Sequence, residues 1–225
     1  MPNYNDRFKD APWYYKCTKE KILVIGAGGI SSNAMYCLAK TIPATYFLMD
    51  FDSVEEINCG TQMFDFNQIG KKKVDAIKET LNIRSVAQIN TIPSKYNNEY
   101  IPIMISGLDN MATRREIFEE WKKHEDRELL IEGRLRANLY EVYVVTKGRE
   151  EEYEKTLFND GETDDGPCTF KQTAYFGMLI GARITHCLVN YLTNKYSTEG
   201  DVCTLPFTIK EYGECFYIDI NEGIN

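Results

Sequence analysis

The run Gly26-Ala27-Gly28-Gly29 follows the apolar stretch Lys21–Ile25, and an acid, Asp50, lies 22 residues beyond Gly28. Each residue type has a chemical use at that spacing. The first glycine permits a tight turn and the second lets a phosphate approach the backbone. The helix that follows offers oriented N–H groups to an anion. Asp50 falls where an acid accepting from ribose hydroxyls belongs. Ser31 stands at the third position of the dinucleotide fingerprint, which is expected to loosen strand–helix packing slightly. The pattern points to a nucleotide and leaves ATP and NAD equally open. The chain holds no Gly-x-x-x-x-Gly-Lys-Ser/Thr phosphate loop.

Further polar residues follow in order. They are Asp52-Ser-Val-Glu-Glu-Ile-Asn58-Cys-Gly-Thr-Gln62, then Gly70-Lys-Lys-Lys73, then Leu108-Asp109-Asn110-Met-Ala-Thr-Arg114. On these residues the chain resembles the ThiF/MoeB and ubiquitin-activating adenylyltransferase family. That family carries Gly-x-Gly-Gly-x-Gly, Asp-x-Asp-x-Val-x-x-x-Asn-Leu-x-Arg-Gln, Gly-x-x-Lys, and a later Asp-Asn with a downstream Arg. The motifs keep the family's order from about Lys21 to Arg115. Glu132-Gly133-Arg134 and Pro167-Cys168-Thr169 extend the likeness over most of the chain.

The resemblance implies an enzyme in which a carboxylate oxygen attacks the α-phosphate of ATP, giving an acyl-adenylate and pyrophosphate. Both reactants are anionic, so such a site needs cations and polar donors around the phosphates. By resemblance, Gly26, Gly28, Gly29, Asp50 and Asp52 belong to the nucleotide site, with Asp50 on the ribose. Asn58 and Gln62 lie near the phosphates, Lys73 neutralises phosphate charge, and Asp109 holds Mg²⁺. The implied acceptor is a small ubiquitin-like or sulfur-carrier protein, or a peptide, with a free C-terminal carboxylate. A homodimer is implied as well.

One position departs from the family: Thr61 replaces the arginine before the glutamine. Arg7, Lys71, Lys72 and Arg114 are candidates to supply the missing cation. Arg7 is also similar to the N-terminal arginine that reaches a partner subunit's site in several relatives. Ubiquitin-activating relatives pass the acyl group to a cysteine. Cys168, ahead of Lys171, has a setting that favours a thiolate. Cys37, Cys59 and Cys187 read as packing residues. The two Cys-x-x-Cys pairs that hold zinc in many relatives are absent from the sequence, so a zinc-free variant is expected.

These residues need a scaffold, and the hydrophobic pattern supplies one. Strands are predicted at Lys21–Ile25, 45–50, 85–92, 101–106, 129–134 and 140–145, the last two antiparallel. Helices are predicted over 30–40, from Gly70 to Asn82, from an Asn110 N-cap through Lys123, and over 171–195. Residues 148–166 read as a charged loop, and 202–220 as short strands with turns. The expectation is an α/β fold: a Rossmann-like, mostly parallel sheet flanked by helices, with antiparallel C-terminal strands. One domain is expected over 1–225, with an N-terminal arm (1–20) and a nucleotide-binding core (21–147). A crossover loop, long helix and C-terminal strands complete it (148–225).

Composition narrows the alternatives. The chain has 225 residues, enough to bury a sizeable core without disulfides. A net charge of −8 argues against a nucleic-acid partner. No run of about 18 apolar residues occurs, because Arg183 and His186 interrupt the longest stretch, so no membrane partner is expected. The polar N-terminus and seven cysteines without paired spacing suggest a reducing, cytoplasmic setting. Two histidines, His124 and His186, argue against a histidine-rich metal site or a serine triad. The competing readings are an NAD-dependent Rossmann oxidoreductase and a non-catalytic nucleotide-binding partner subunit. The first leaves Asn58, Gln62, Lys73 and Asp109 without a purpose; Thr61 favours the second.

Overall fold

In the computed structural model, residues 8–82, 85, 87–136, 139–159, 174–213 and 217–223 are described. Eight strands form one sheet: β1 (Lys21–Ile25), β2 (Thr45–Met49), β3 (Gln88–Ile92), β4 (Ile103–Ser106), β5 (Leu129–Arg136), β6 (Leu139–Val145), β7 (Thr208–Tyr212) and β8 (Tyr217–Asn221). Their order is β3-β2-β1-β4-β5-β6-β7-β8. The first five are parallel neighbours, and the pairs from β5 to β8 are antiparallel. Central strands covered on both faces read as continuous apolar runs. Accordingly β4 is buried throughout and β1 from its second residue onward.

Helices α1 (Gly29–Thr41), α2 (Lys73–Asn82) and α5 (Ala174–Tyr196) cover one face, with Ile22, Val24, Ile105 and Ile131 beneath them. Helix α3 (Met111–Lys123) and the short α4 (Glu150–Glu154) cover the other, over Leu23, Ile25, Met104 and Leu130. Trp13, Tyr14 and Cys17 are buried in the first of these cores, so the segment ahead of β1 packs into the body. Helices α1 and α5 cross at backbone contact. A β-carbon at Gly181 would lie 2.7 Å from the Ala34 nitrogen. Any larger residue there would overpack the crossing, at a cost of about 1–3 kcal/mol.

Several predicted boundaries shift. The third strand begins at Gln88 and the fourth at Ile103. Residues 70–72 are not helical: Lys72 bridges to Ser53, and Lys73 is the first residue of α2. The acidic stretch predicted as loop contains α4. Glu150, Glu151 and Glu152 occupy its first turn, where carboxylates suit the helix dipole, and Tyr153 is buried beneath it. Asn110 caps α3 as predicted, its side chain accepting from the Thr113 N–H at 2.8 Å. Among the described residues, no helix is long and apolar enough to cross a membrane.

Chain direction across the sheet reverses between β1 and β4: β2 and β3 lie to one side of β1, and β4 and β5 to the other. In open α/β sheets, ligands bind beyond the carboxyl ends of the strands at such a switch point. The Gly26 turn follows β1, and Gly107-Leu108-Asp109 follows β4. Topology alone therefore brings two of the predicted motifs together.

Candidate nucleotide site

The turn after β1 is held from three sides. Gly26 has φ +92°, a left-handed conformation, and a β-carbon there would meet Leu108 Cδ2 at 3.1 Å and the Gly107 oxygen at 3.2 Å. Only glycine satisfies both demands. Gly26 N–H donates to the Met49 carbonyl at 2.8 Å, and Gly107 N–H to the Ile25 carbonyl at 3.0 Å. Gly28, the N-cap of α1, is the reverse case: a β-carbon there would meet nothing within 4 Å. The second glycine thus faces open space at a helix N-terminus, the place where an anion meets unsatisfied N–H groups.

Ser31 does not loosen the packing as expected. It is fully buried, and a β-carbon at Gly107 would lie 2.3 Å from its Oγ. The close approach normally provided by a third glycine of the turn is provided by the facing residue, Gly107.

Asp50 closes the turn on the β2 side. Its Oδ2 accepts from the Ala27 N–H and its Oδ1 from the Asp52 N–H, each at 2.7 Å. A carboxylate has about four lone-pair sites, so these two bonds fix its orientation and leave acceptor capacity for hydroxyls. Asp50, Gly26, Leu108 and Asn110 line a cleft of about 320 Å³. Its far end is formed by Ser94, Lys95 and Tyr96 after β3 and by Thr113 and Glu116 of α3. The volume suits a small-molecule site. The Tyr96 hydroxyl is buried without a partner there, and burial together with Glu120, Glu99 and Glu116 raises its pKa. Of these far-end residues, only Thr113 falls within a quoted motif, between Asn110 and Arg114. For the others, the only sequence signal was that they follow strand ends or start a helix.

Lys73, expected from the sequence to neutralise phosphate charge, is the first residue of α2. Its side chain is only 10% exposed, and its Nζ pairs with Asp52 Oδ2 at 3.0 Å. Asp52 is 45% exposed. The pair ties the start of α2 to the loop after β2, joined also by the Lys73 N–H to Asp52 carbonyl bond at 3.0 Å. Asn58 and Gln62 lie on the 3-10 turn Glu56–Gly60 and just beyond it. Asn58 Oδ1 accepts from the Glu55 N–H at 2.9 Å, so part of its capacity is spent on capping its own turn. Gln62 Oε1 is buried without a partner. The next residue is anchored to α1, Met63 N–H donating to Ser32 Oγ at 3.2 Å. Asp109 is exposed on the loop between β4 and α3. Arg7 and Cys168 lie outside the described residues, as do Pro167 and Thr169.

Three of the cations considered as substitutes at Thr61 are engaged elsewhere. Lys71 pairs with Glu79 at 2.5 Å, Lys72 donates to the Phe51 carbonyl at 2.6 Å, and Arg114 is buried 3.5 Å from Glu132. Burial pushes the Cys17 and Cys187 thiols up to about 12, which disfavours the thiolate form.

A metal fit follows from the donor set. Among the described residues no group of three or more His, Cys, Asp or Glu could hold a metal ion. Magnesium usually needs only one or two carboxylates, the rest of its shell being phosphate oxygens and water. Asp109, a single exposed carboxylate beside the cleft, fits that mode and fits no all-protein cage.

Comparison with known proteins bears on the family and the fold. The ThiF family model matches residues 4–208. The SUMO-activating enzyme subunit uba-2 of Caenorhabditis elegans is 26% identical over 187 residues, covering 77% of this chain and 30% of that protein. The chain therefore spans about 30% of the length of this curated relative. Among solved structures, E. coli MccB with MccA-N7isoASN matches at TM-score 0.75 and 15% identity, over 99% of this chain and 73% of that one. E. coli MccB with ATP matches at 0.68 and 16%, over 93% and 65%. PaaA matches at 0.71 and 18%, over 96% and 68%. At these identities the solved structures speak for the fold.

Proposed function

The chain belongs to the ThiF family, and from that premise we propose that it is an ATP-dependent adenylyltransferase. Its acceptor is the C-terminal carboxylate of a small ubiquitin-like or sulfur-carrier protein, or of a peptide. A carboxylate oxygen attacks the α-phosphorus, the bond to the β-phosphate breaks, and pyrophosphate leaves with its electron pair. The observation that carries this reading is the Lys73–Asp52 pair beside Asp50. A nearly buried ammonium paired with Asp52, whose N–H is held by the ribose acid Asp50, suits a triphosphate better than a dinucleotide.

In this reading Asp50 spends its remaining lone pairs on the ribose, and the open face of Gly28 admits phosphate to the α1 N-terminus. Lys73 has three donors; one holds Asp52, and the others are available to phosphate oxygens. By family resemblance Asn58 and Gln62 lie near the phosphates, to which their side-chain NH2 groups can donate. Asp109 would hold Mg²⁺, which would neutralise charge on the departing pyrophosphate. Gly26 and Gly29 shape the turn. By family resemblance Arg7 completes the site of a partner subunit, Cys168 accepts the acyl group, and the protein works as a single-domain, zinc-free, cytoplasmic homodimer.

MccB, solved with ATP and with MccA-N7isoASN, and the SUMO-activating subunit support an ATP site and a protein or peptide acceptor. A second reading, a non-catalytic nucleotide-binding subunit, draws on Thr61 and on the engagement of Lys71, Lys72 and Arg114.

Thermal unfolding separates nucleotides. ATP with magnesium at about 100 times its Kd should stabilise the protein by about 2.7 kcal/mol, a rise of about 5–10 °C in Tm for a chain of this size. NAD should give none. A shift with NAD and none with ATP would overturn the proposal.

A further inference from the structure

Helix α3 carries an arginine in its first turn, where a cation opposes the helix dipole. Arg114 is buried, and its Nη2 donates to the carbonyl of Leu108, the residue immediately before Asp109. Its Nε lies 3.5 Å from Glu132 Oε1. Glu132, on β5, is 1% exposed, and the same Oε1 accepts from Arg134 Nε. Arg134 in turn donates to the Thr156 carbonyl at 2.9 Å and to its Oγ1 at 3.1 Å, and lies 4.3 Å from the Tyr143 ring. Burying two guanidiniums and a carboxylate is costly, and such networks are often no better for stability than apolar residues. Here the network ends on the backbone of the loop that carries Asp109, against the Gly26 turn.

We propose that Arg114 and Glu132 are positioning residues for Asp109. Glu132 offsets the charge of Arg114 and orients its guanidinium. Arg114 pins the Leu108 carbonyl and so sets the direction in which the Asp109 carboxylate leaves β4. This rests on the ATP and magnesium reading of the site. Asp109 is exposed, and among the described residues no capping bond orients its side chain in the way Asn110 is oriented by Thr113. The backbone that carries it is therefore where precision has to come from, since a misplacement of about 1 Å can cost about a hundredfold.

The test is a double-mutant cycle read by ATP binding, calorimetrically, with and without magnesium. In the wild type, magnesium strengthens ATP binding. Arg114→Met should reduce that gain by about tenfold or more while leaving magnesium-free affinity within about twofold. The double variant Asp109→Ala/Arg114→Met should lose no more than Asp109→Ala alone. Glu132→Gln, which keeps the shape, should reproduce Arg114→Met. If Glu132→Gln does not fold, the Arg114 cycle still reads the coupling. A purely structural network would lower both affinities equally or make the two losses multiply, and either result overturns the proposal. An undiminished magnesium gain in Arg114→Met, with Asp109→Ala impaired, overturns this inference alone. A wild type that binds no ATP overturns the functional reading with it.

Discussion

Asp109→Ala is expected to lower ATP–pyrophosphate exchange by about 10²–10³-fold or more, while leaving the unfolding temperature and magnesium-free ATP affinity near wild type. The asymmetry follows from where the residue lies. Asp109 is exposed, so its loss removes no packing and leaves no buried partner stranded, and its effect on stability should stay within about 0.5 kcal/mol. Its loop, by contrast, is fixed on the Gly26 side by the Gly107 to Ile25 bond and on the α3 side by Arg114. A structure that invests this much in an exposed carboxylate points to chemistry rather than folding. Steady-state exchange with a working acceptor, alongside a melting curve, checks it. Full exchange in the variant would remove Asp109 from the site.

Lys73→Met should be nearly as damaging and fail differently. The side chain lies in a buried position at the start of α2, and methionine can fill that space. Its partner Asp52 is half-exposed and can be resolvated, so no charge is stranded and the fold should persist. Under the proposed function, what is lost is a cation for the phosphates, worth about 10²–10³-fold in turnover, together with a raised KM for ATP. Lys73→Arg should not restore activity, because the planar guanidinium has a different shape and donor geometry in a nearly closed position. Exchange kinetics over a range of ATP concentrations distinguish these outcomes. A Lys73→Met enzyme with unchanged kcat and KM would refute the assignment.

The scaffold was readable where one residue type had one explanation. The apolar run Ile22–Ile25, bounded by a glycine turn, reads as a buried strand, and Asn110 before an amphipathic stretch reads as a cap, and both are so in the fold. Reading failed where meaning depends on the partner across space. Glu150–Glu152 resemble a solvated loop until the burial of Tyr153 shows them to be a helix start. Ser31 reads as a defect in the glycine turn, because its compensation, Gly107, lies on the loop after another strand, β4. Lys71, Lys72 and Arg114 looked available as cations until their partners Glu79, Phe51 and Glu132 were in place. Tyr96 and Glu116 belong to no motif, and only the strand order brings them to the cleft of Asp50.

The central claim is that a carboxylate is activated at the α-phosphate of ATP. Incorporation of labelled pyrophosphate into ATP tests it most directly, using a panel of peptides that end in a free carboxylate and the same peptides amidated at that end. The account predicts label in ATP with a free-carboxylate acceptor and none with its amide. Equal labelling with both forms, or conversion of ATP to ADP and phosphate, would contradict it.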